Sequence, residues 1–198
     1  MRTRILIWSS LICLLIPAVV TAQQQQPFVL TAYGGLFFPS NVDYKDNFKS
    51  TSDAIYGFGV GIPVAQQLYL IVDYSLFHVT ASPDLPNDSS LVLDEHFWHV
   101  GLLVKQPLSP LLLLRFSAGT NIVTVQQTTS SASVASVTTE APRKIGFFGG
   151  PGVEYRTSDP HLSFFGDIIY DYRHVTEKEM FGDFGGVRVV VGMHVTLF

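Results

Sequence analysis

An all-β fold, an eight-stranded antiparallel up-and-down barrel that crosses a membrane with its strands, is what this sequence predicts, on three observations. Eight segments alternate apolar and polar side chains, each near the roughly 9 to 11 residues a tilted strand needs to span a bilayer. The connections between them alternate between long and short, as they do when one end of a barrel carries loops and the other tight turns. Charged residues are 14% of the chain, against roughly 25% in soluble domains, while 47% is hydrophobic, 13% is aromatic and the mean hydropathy is +0.30. Downstream of the N-terminus the apolar runs stay short, such as Leu111 to Leu114, far from the roughly 18 residues of a membrane helix. Apolar surface without spanning helices leaves the closed barrel, which satisfies every backbone polar group inside the bilayer.

The N-terminal residues read as a processing segment. Arg2 and Arg4 precede an apolar stretch from Ile5 to Val20, and Val20-Thr21-Ala22 offers the small residues of a cleavage site, so residues 1–22 are expected to be a secretory signal peptide. Pro17 and the polar Gln23 to Gln26 argue against a retained anchoring helix. Residues 23–27 form a Gln-rich lead, and residues 28–198 a single barrel domain. Cys13 lies inside the signal segment behind bulky Leu11-Ile12, which argues against lipidation and leaves the mature chain without a thiol for disulfides or cysteine metal sites. The net charge of −4, with no basic stripe, gives no footprint for nucleic acid.

Taken in order, strands are predicted near Phe28 to Phe38, Ala54 to Ile62, Leu68 to Val79, Glu95 to Lys105, Leu111 to Val123, Lys144 to Arg156, Leu162 to Arg173 and Gly186 to Phe198. Long connections fall at Pro39 to Asp53, Thr80 to Asp94, Thr124 to Arg143 and His174 to Gly185. Short ones fall at Pro63 to Gln67, Gln106 to Pro110 and Thr157 to His161. An even strand number with this rhythm puts both ends of the barrel domain on the short-turn, periplasmic side.

Side chains alternate across a strand, so each segment can be divided into two faces. Leu68, Leu70, Val72, Tyr74 and Leu76 share one face of the third strand. Leu112, Leu114, Phe116, Ala118 and Ile122 oppose Arg115, Ser117, Gly119 and Asn121 in the fifth. The polar faces hold Asp73, Lys105, Arg115, Lys144, Glu154, Arg156, Asp167, Asp171, Arg173 and Arg188, both signs mixed, as expected of a charge network filling a narrow lumen that leaves no continuous pore. A soluble barrel with an apolar ligand cavity would show the same alternation turned inside out. The glycine, serine and few charges of the polar faces suit a crowded interior better than a solvated exterior. Phe28, Phe38, Trp98, Tyr155 and Tyr172 fall near strand ends on the apolar faces, where aromatic girdles meet the two membrane interfaces.

With the signal peptide, eight alternating strands and a final aromatic together, Phe28 to Phe198 resembles the small outer-membrane barrels of the OmpA/OmpX type. Gly192, Val195, Leu197 and Phe198, within Gly192-Met193-His194-Val195-Thr196-Leu197-Phe198, look like the C-terminal signal read by the barrel-assembly machinery. Phe198 departs from the usual parity, since Val187, Val189, Val191, Met193, Val195 and Leu197 share the apolar face and it falls opposite. With no peptidoglycan-binding segment after the last strand, the sequence is closer to OmpX than to full-length OmpA. The resemblance implies an outer-membrane location in a Gram-negative-type envelope, lipids as surroundings, passage through the assembly machinery and a monomeric state. It also implies a structural or surface-interaction role through the extracellular loops.

Candidate chemistry is sparse, and the expectation is no enzyme, no metal and no cofactor. His161-Leu162-Ser163 has the His-x-Ser spacing of outer-membrane lipid A deacylases, in which a histidine would activate a serine. Phe164-Phe165-Gly166 replaces the expected following residues, and Asp159-Pro160 reads as turn chemistry. His78 and His96 are placed to face each other across a hairpin near the extracellular rim, without a third ligand. Gln126 to Glu140, rich in Ser and Thr, reads as a mobile loop. The first loop, with Asp43, Tyr44, Lys45, Asp46, Phe48 and Lys49, is the segment best suited to contact a partner.

Overall fold

The strands close on themselves into a barrel. The computed structural model describes residues 27–40, 44, 48, 50–80, 90–131, 134–140, 143–173 and 185–197. The expected signal peptide, Gln23 to Gln26, the charges Asp43, Lys45, Asp46 and Lys49 of the first loop, and the terminal Phe198 lie outside the described residues. The elements are β1 (Phe28–Pro39), β2 (Asp53–Ala65), β3 (Leu68–Thr80), β4 (Ser90–Pro107), β5 (Leu112–Ser131), β6 (Val134–Glu140), β7 (Lys144–Arg156), β8 (Leu162–Tyr172) and β9 (Gly186–Leu197). Among the described residues eight of these are staves, each antiparallel to its neighbours, while β6 pairs with β5 alone. Closure is made by β1 and β9, paired from Phe28↔Leu197 to Pro39↔Gly186.

Alternation decides which side of the wall each residue occupies, and the apolar face is turned outward. On β5, Leu112, Leu114, Phe116 and Ile122 are exposed, while Leu113, Arg115, Ser117, Asn121 and Val123 are buried. The same outward row continues through Phe58 (62% exposed), Phe147 (63%), Val191 (67%) and Ile145 (71%). A continuous apolar band of this kind is far larger than the patches soluble monomers leave in water. The inverted alternative, with the apolar face lining a ligand cavity, is therefore not the fold this chain adopts.

Two strands reach well beyond the expected limits. β4 begins at Ser90 rather than Glu95, and β5 runs on to Ser131, giving lengths of 18 and 20 residues. The segment from Gln126 to Glu140, expected to be a mobile loop, is instead mostly a hairpin: Gln126↔Glu140, Thr128↔Thr138 and Ser131↔Val134 are cross-strand partners. Threonine and valine are strand formers whenever a partner strand is available, and β4 supplies one through Leu91↔Thr129 and Leu93↔Gln127. From Val123↔Lys144 to Gln126↔Glu140 the chain advances three residues on β5 and four on the facing side, so one extra residue is accommodated there. Trp98, expected near a strand end, consequently sits in the middle of β4, beside Tyr74 with the ring centres 5.0 Å apart.

Close approach of neighbouring strands is possible where side chains are absent. A Cβ on Gly35 would collide with the backbone oxygen of Val189, and one on Gly150 with that of Ile168, so both positions require glycine. Gln67, in the turn between β2 and β3, has φ 71°, a left-handed conformation that glycine would adopt at lower cost.

The lumen as candidate functional site

Inward-facing positions on every stave converge in the lumen, which is packed in layers. Nearest the short turns, Glu154 on β7 is the hub. Lys105 Nζ on β4 lies 2.8 Å from its Oε2, Arg115 Nη1 on β5 3.5 Å from the same oxygen, and Ser163 Oγ on β8 donates to Oε1 at 2.8 Å. Arg115 also holds Asp167 Oδ2 through Nη2 at 3.2 Å, touches His194 Nε2, and lies 4.1 Å over the Phe165 ring. His194 stacks on that same ring and meets Thr31 Oγ1 at 2.9 Å through Nδ1.

The next layer is centred on Asp171. Arg188 Nε donates to Oδ2 at 2.6 Å, and Asn121 Nδ2 to Oδ1 at 2.8 Å. His99 stands between two carboxylates, with Nε2 3.0 Å from Asp171 Oδ1 and Nδ1 3.1 Å from Asp73 Oδ1. Tyr33 donates its hydroxyl to Asp73 Oδ1 at 2.7 Å. Above this layer Arg173 Nη2 reaches Glu95 Oε2 at 3.3 Å, and its guanidinium lies 5.4 Å from the Phe97 ring centre. Burying such charges is costly unless each finds a partner, so the pairs hold one another in place more than they add net stability.

Toward the long-loop end the lumen turns apolar, which the expectation of a glycine, serine and charge interior missed. Phe37 meets Phe77 and Phe97 edge to face at 5.1 and 5.5 Å, with Ile55, Val123, Val125, Leu91 and Leu93 around them. Tyr44 and Phe48, two first-loop residues expected to face a partner, are buried in this cluster and stack on each other at 5.0 Å. Tyr44 donates its hydroxyl to Asp53 Oδ2 at 2.7 Å. Burial, then the Asp53 hydrogen bond and charge, push that hydroxyl well above the ordinary tyrosine pKa. The reason is visible in the strand parity: Phe77, Phe97 and Val123 lie on the same faces as Ser75, His99 and Asn121.

Of the charges placed in the lumen from sequence, Asp73, Lys105, Arg115, Glu154, Asp167, Asp171, Arg173 and Arg188 join these layers. Arg156 is exposed at the short-turn end instead, because β7 ends there, and the Lys144 side chain lies outside what is described. Sequence reading missed Glu95, His99, Ser163 and His194 as partners, although each shares the inward parity of its strand. His78 and His96 do not face each other. His78 pairs with Asp94, 2.6 Å from Nδ1 to Oδ1, whereas His96 is opposite Leu76 and meets the Tyr74 hydroxyl at 2.6 Å. Ser163 gives its proton to Glu154, while the backbone N–H of His161 donates to Asp159 Oδ1 at 2.8 Å, in the turn. Among the described residues no group of three or more His, Cys, Asp and Glu side chains is placed to hold a metal ion.

A closed wall of eight antiparallel staves, apolar outside and filled with polar and aromatic side chains inside, is the architecture of the small outer-membrane β-barrels. Among solved structures the chain is similar to a major outer membrane protein from Thermus thermophilus, with TM-score 0.57 and 12% identity over 86% of this chain and 99% of that one. It is similar to Neisserial surface protein A, with TM-score 0.53 and 13% identity over 86% and 96% of the two chains. OprG from Pseudomonas aeruginosa gives TM-score 0.52 and 10% identity over 87% and 96%. At these identities the likeness establishes the fold, a closed eight-stranded antiparallel barrel of the kind these outer-membrane proteins have. No protein-family model and no curated protein sequence matches the chain.

Proposed function

We propose that this chain is an integral outer-membrane protein, monomeric, non-enzymatic, and acting as a structural or surface-interaction element rather than as a pore. The observation that carries the reading is the outward apolar band, including Phe58, Phe147, Ile145 and Val191, around a lumen whose inward side chains pair with one another. Such a band is stable against acyl chains, and the ion pairs leave no continuous pore through the lumen. The β4, β5 and β6 hairpins extend well past the roughly 9 to 11 residues of a membrane crossing, and carry the interaction role beyond the lipid surface. Gly192, Val195, Leu197 and Phe198 serve the assembly machinery in this reading, and outer-membrane lipids are the barrel's surroundings.

The test is electrophoresis of detergent-refolded Gln23 to Phe198 in SDS with and without boiling, beside fractionation of expressing cells. A heat-dependent band shift with recovery in the outer-membrane fraction is expected. Folded protein in detergent-free buffer with no band shift would overturn the membrane reading. For the enzymatic reading, lipid A from expressing cells is expected to keep its acyl chains, and acyl loss that disappears in Ser163→Ala would reverse that conclusion.

A further inference from the structure

Two histidines are sealed inside the lumen, His99 and His194, at 0% and 3% exposure. An imidazole nitrogen accepts when bare and donates when protonated, so the partners of each ring fix its charge. His194 Nε2 touches Arg115 Nη1, which can only donate. That nitrogen is therefore bare, the proton sits on Nδ1 toward Thr31 Oγ1, and the ring is neutral. His99 is placed differently: Nδ1 lies 3.1 Å from Asp73 Oδ1 and Nε2 3.0 Å from Asp171 Oδ1, and an ionised carboxylate can only accept. Either neutral tautomer would leave a bare nitrogen facing a carboxylate oxygen. Charge balance points the same way, because among the described residues the ion layers hold five carboxylates, Asp73, Glu95, Glu154, Asp167 and Asp171, against four cations, Lys105, Arg115, Arg173 and Arg188. An unbalanced charge in such an interior is costly.

We infer that His99 is a buried imidazolium, the fifth cation of the lumen, and that its proton is a pH-sensitive latch between β4 and β8. The second state of the latch is already in place, since Arg188 Nη2 on β9 lies 3.1 Å from the same Nε2. When the proton leaves to solvent, Nε2 stops donating to Asp171 and accepts from Arg188, so the bond passes from β8 to β9 and the lumen is one positive charge short. The charged and titratable groups around the ring are Asp73 on β3, Asp171 on β8, Arg188 on β9 and, through Asp73, Tyr33 on β1. β5 brings neutral Asn121 to Asp171, β7 brings Phe148 edge-on to the ring at 4.9 Å, and β2 has Gly59 opposite Asp73. On its own strand Phe97 stacks on His99, and Arg173, paired with Glu95, contacts that phenyl ring. The inference rests on the interior alone and does not depend on the membrane reading.

The test uses Gln23 to Phe198 refolded in detergent micelles with isotope-labelled histidine rings, read by NMR near pH 8, where a solvated histidine of pKa about 6.5 is neutral. One ring is expected with both nitrogens protonated and shielded from solvent exchange. It is expected to vanish in the double variant His99→Gln/Asp73→Asn, which removes one charge of each sign. A wild-type spectrum with no such ring overturns the inference whether or not the variant folds, and so does a ring of that kind that persists in the variant. The SDS heat shift gives a second reading. A folded chain that keeps a proton the unfolded chain releases above about pH 6.5 loses stability as the pH rises. Between about pH 6 and pH 8 the midpoint of the heat shift should fall by about 4 °C more in the wild-type chain than in the double variant. Parallel curves for the two would show that His99 holds no such proton.

Discussion

Arg188 on β9 donates its Nε proton to Asp171 Oδ2 on β8 at 2.6 Å, with only 1% and 0% of the two side chains accessible. The pair is diagonal across adjacent strands, since Arg188 is in register with Ile169 and Asp171 with Gly186. It ties the barrel wall together from the inside. Replacing Arg188 with Met leaves a buried carboxylate without its cation, and is expected to cost about 3–5 kcal/mol in urea unfolding from lipid or micelles. Adding Asp171→Leu to that variant removes the stranded charge and should recover a good part of the loss. A double variant no more stable than Arg188→Met would show that the pair does not behave as a coupled unit.

Glycine positions divide by what a Cβ would meet. At Gly150 it would strike the backbone oxygen of Ile168, whereas at Gly166 the nearest atoms are Val190 O at 3.8 Å and Val191 Cγ1 at 3.9 Å. Gly150→Ala is therefore expected to abolish or severely reduce the heat-shifted folded band, and Gly166→Ala to leave it intact. Equal yields from the two would contradict the close packing of β7 against β8.

Lysine substitution along one outward row locates the lipid. Val100, 43% exposed on β4, lies in the apolar band, while Gln126 on β5 belongs to the extended hairpin. Val100→Lys should lose about 2–4 kcal/mol of folding free energy in liposomes, and Gln126→Lys close to nothing. If both lysines were tolerated equally, the band would not be the lipid-contacting surface.

Tyr44 carries the one alkaline prediction. Its hydroxyl pKa is raised by burial and by Asp53, so the folded value exceeds the unfolded value of about 10. The contribution of the Tyr44 to Asp53 contact to stability is then fully present below about pH 10 and declines only above it. Absorbance titration at alkaline pH should give matching amplitudes for the wild-type chain and Tyr44→Phe near pH 10, about where exposed tyrosines ionise. A wild-type curve larger by one ionising tyrosine there would place Tyr44 in solvent.

How far the sequence carried each feature depends on the range of the interaction that controls it. The alternation in Leu162 to Arg173 is a local property of a strand, and it placed Asp167 and Asp171 on one face and Phe164, Ile168 and Tyr170 on the other, as the structure has them. The hairpin from Gln126 to Glu140 was not legible. Its threonines and serines suit a strand or a loop equally, and only the presence of β4 as a partner decides for a strand. Phe77 and Phe97 likewise have the parity of the lumen, but polar neighbours on the same face, Ser75 and His99, concealed the apolar layer they build with Phe37.

By itself the sequence determined an all-β chain of eight crossings with alternating short and long connections, because strand period, turn chemistry and overall polarity are local quantities that need no partner. Only the tertiary structure decided that Glu154 gathers Lys105, Arg115 and Ser163, and that His99 stands between Asp73 and Asp171. Those contacts join strands that are far apart in the chain, and their register is set by closure of β1 on β9, a condition on the whole sheet that no single segment encodes.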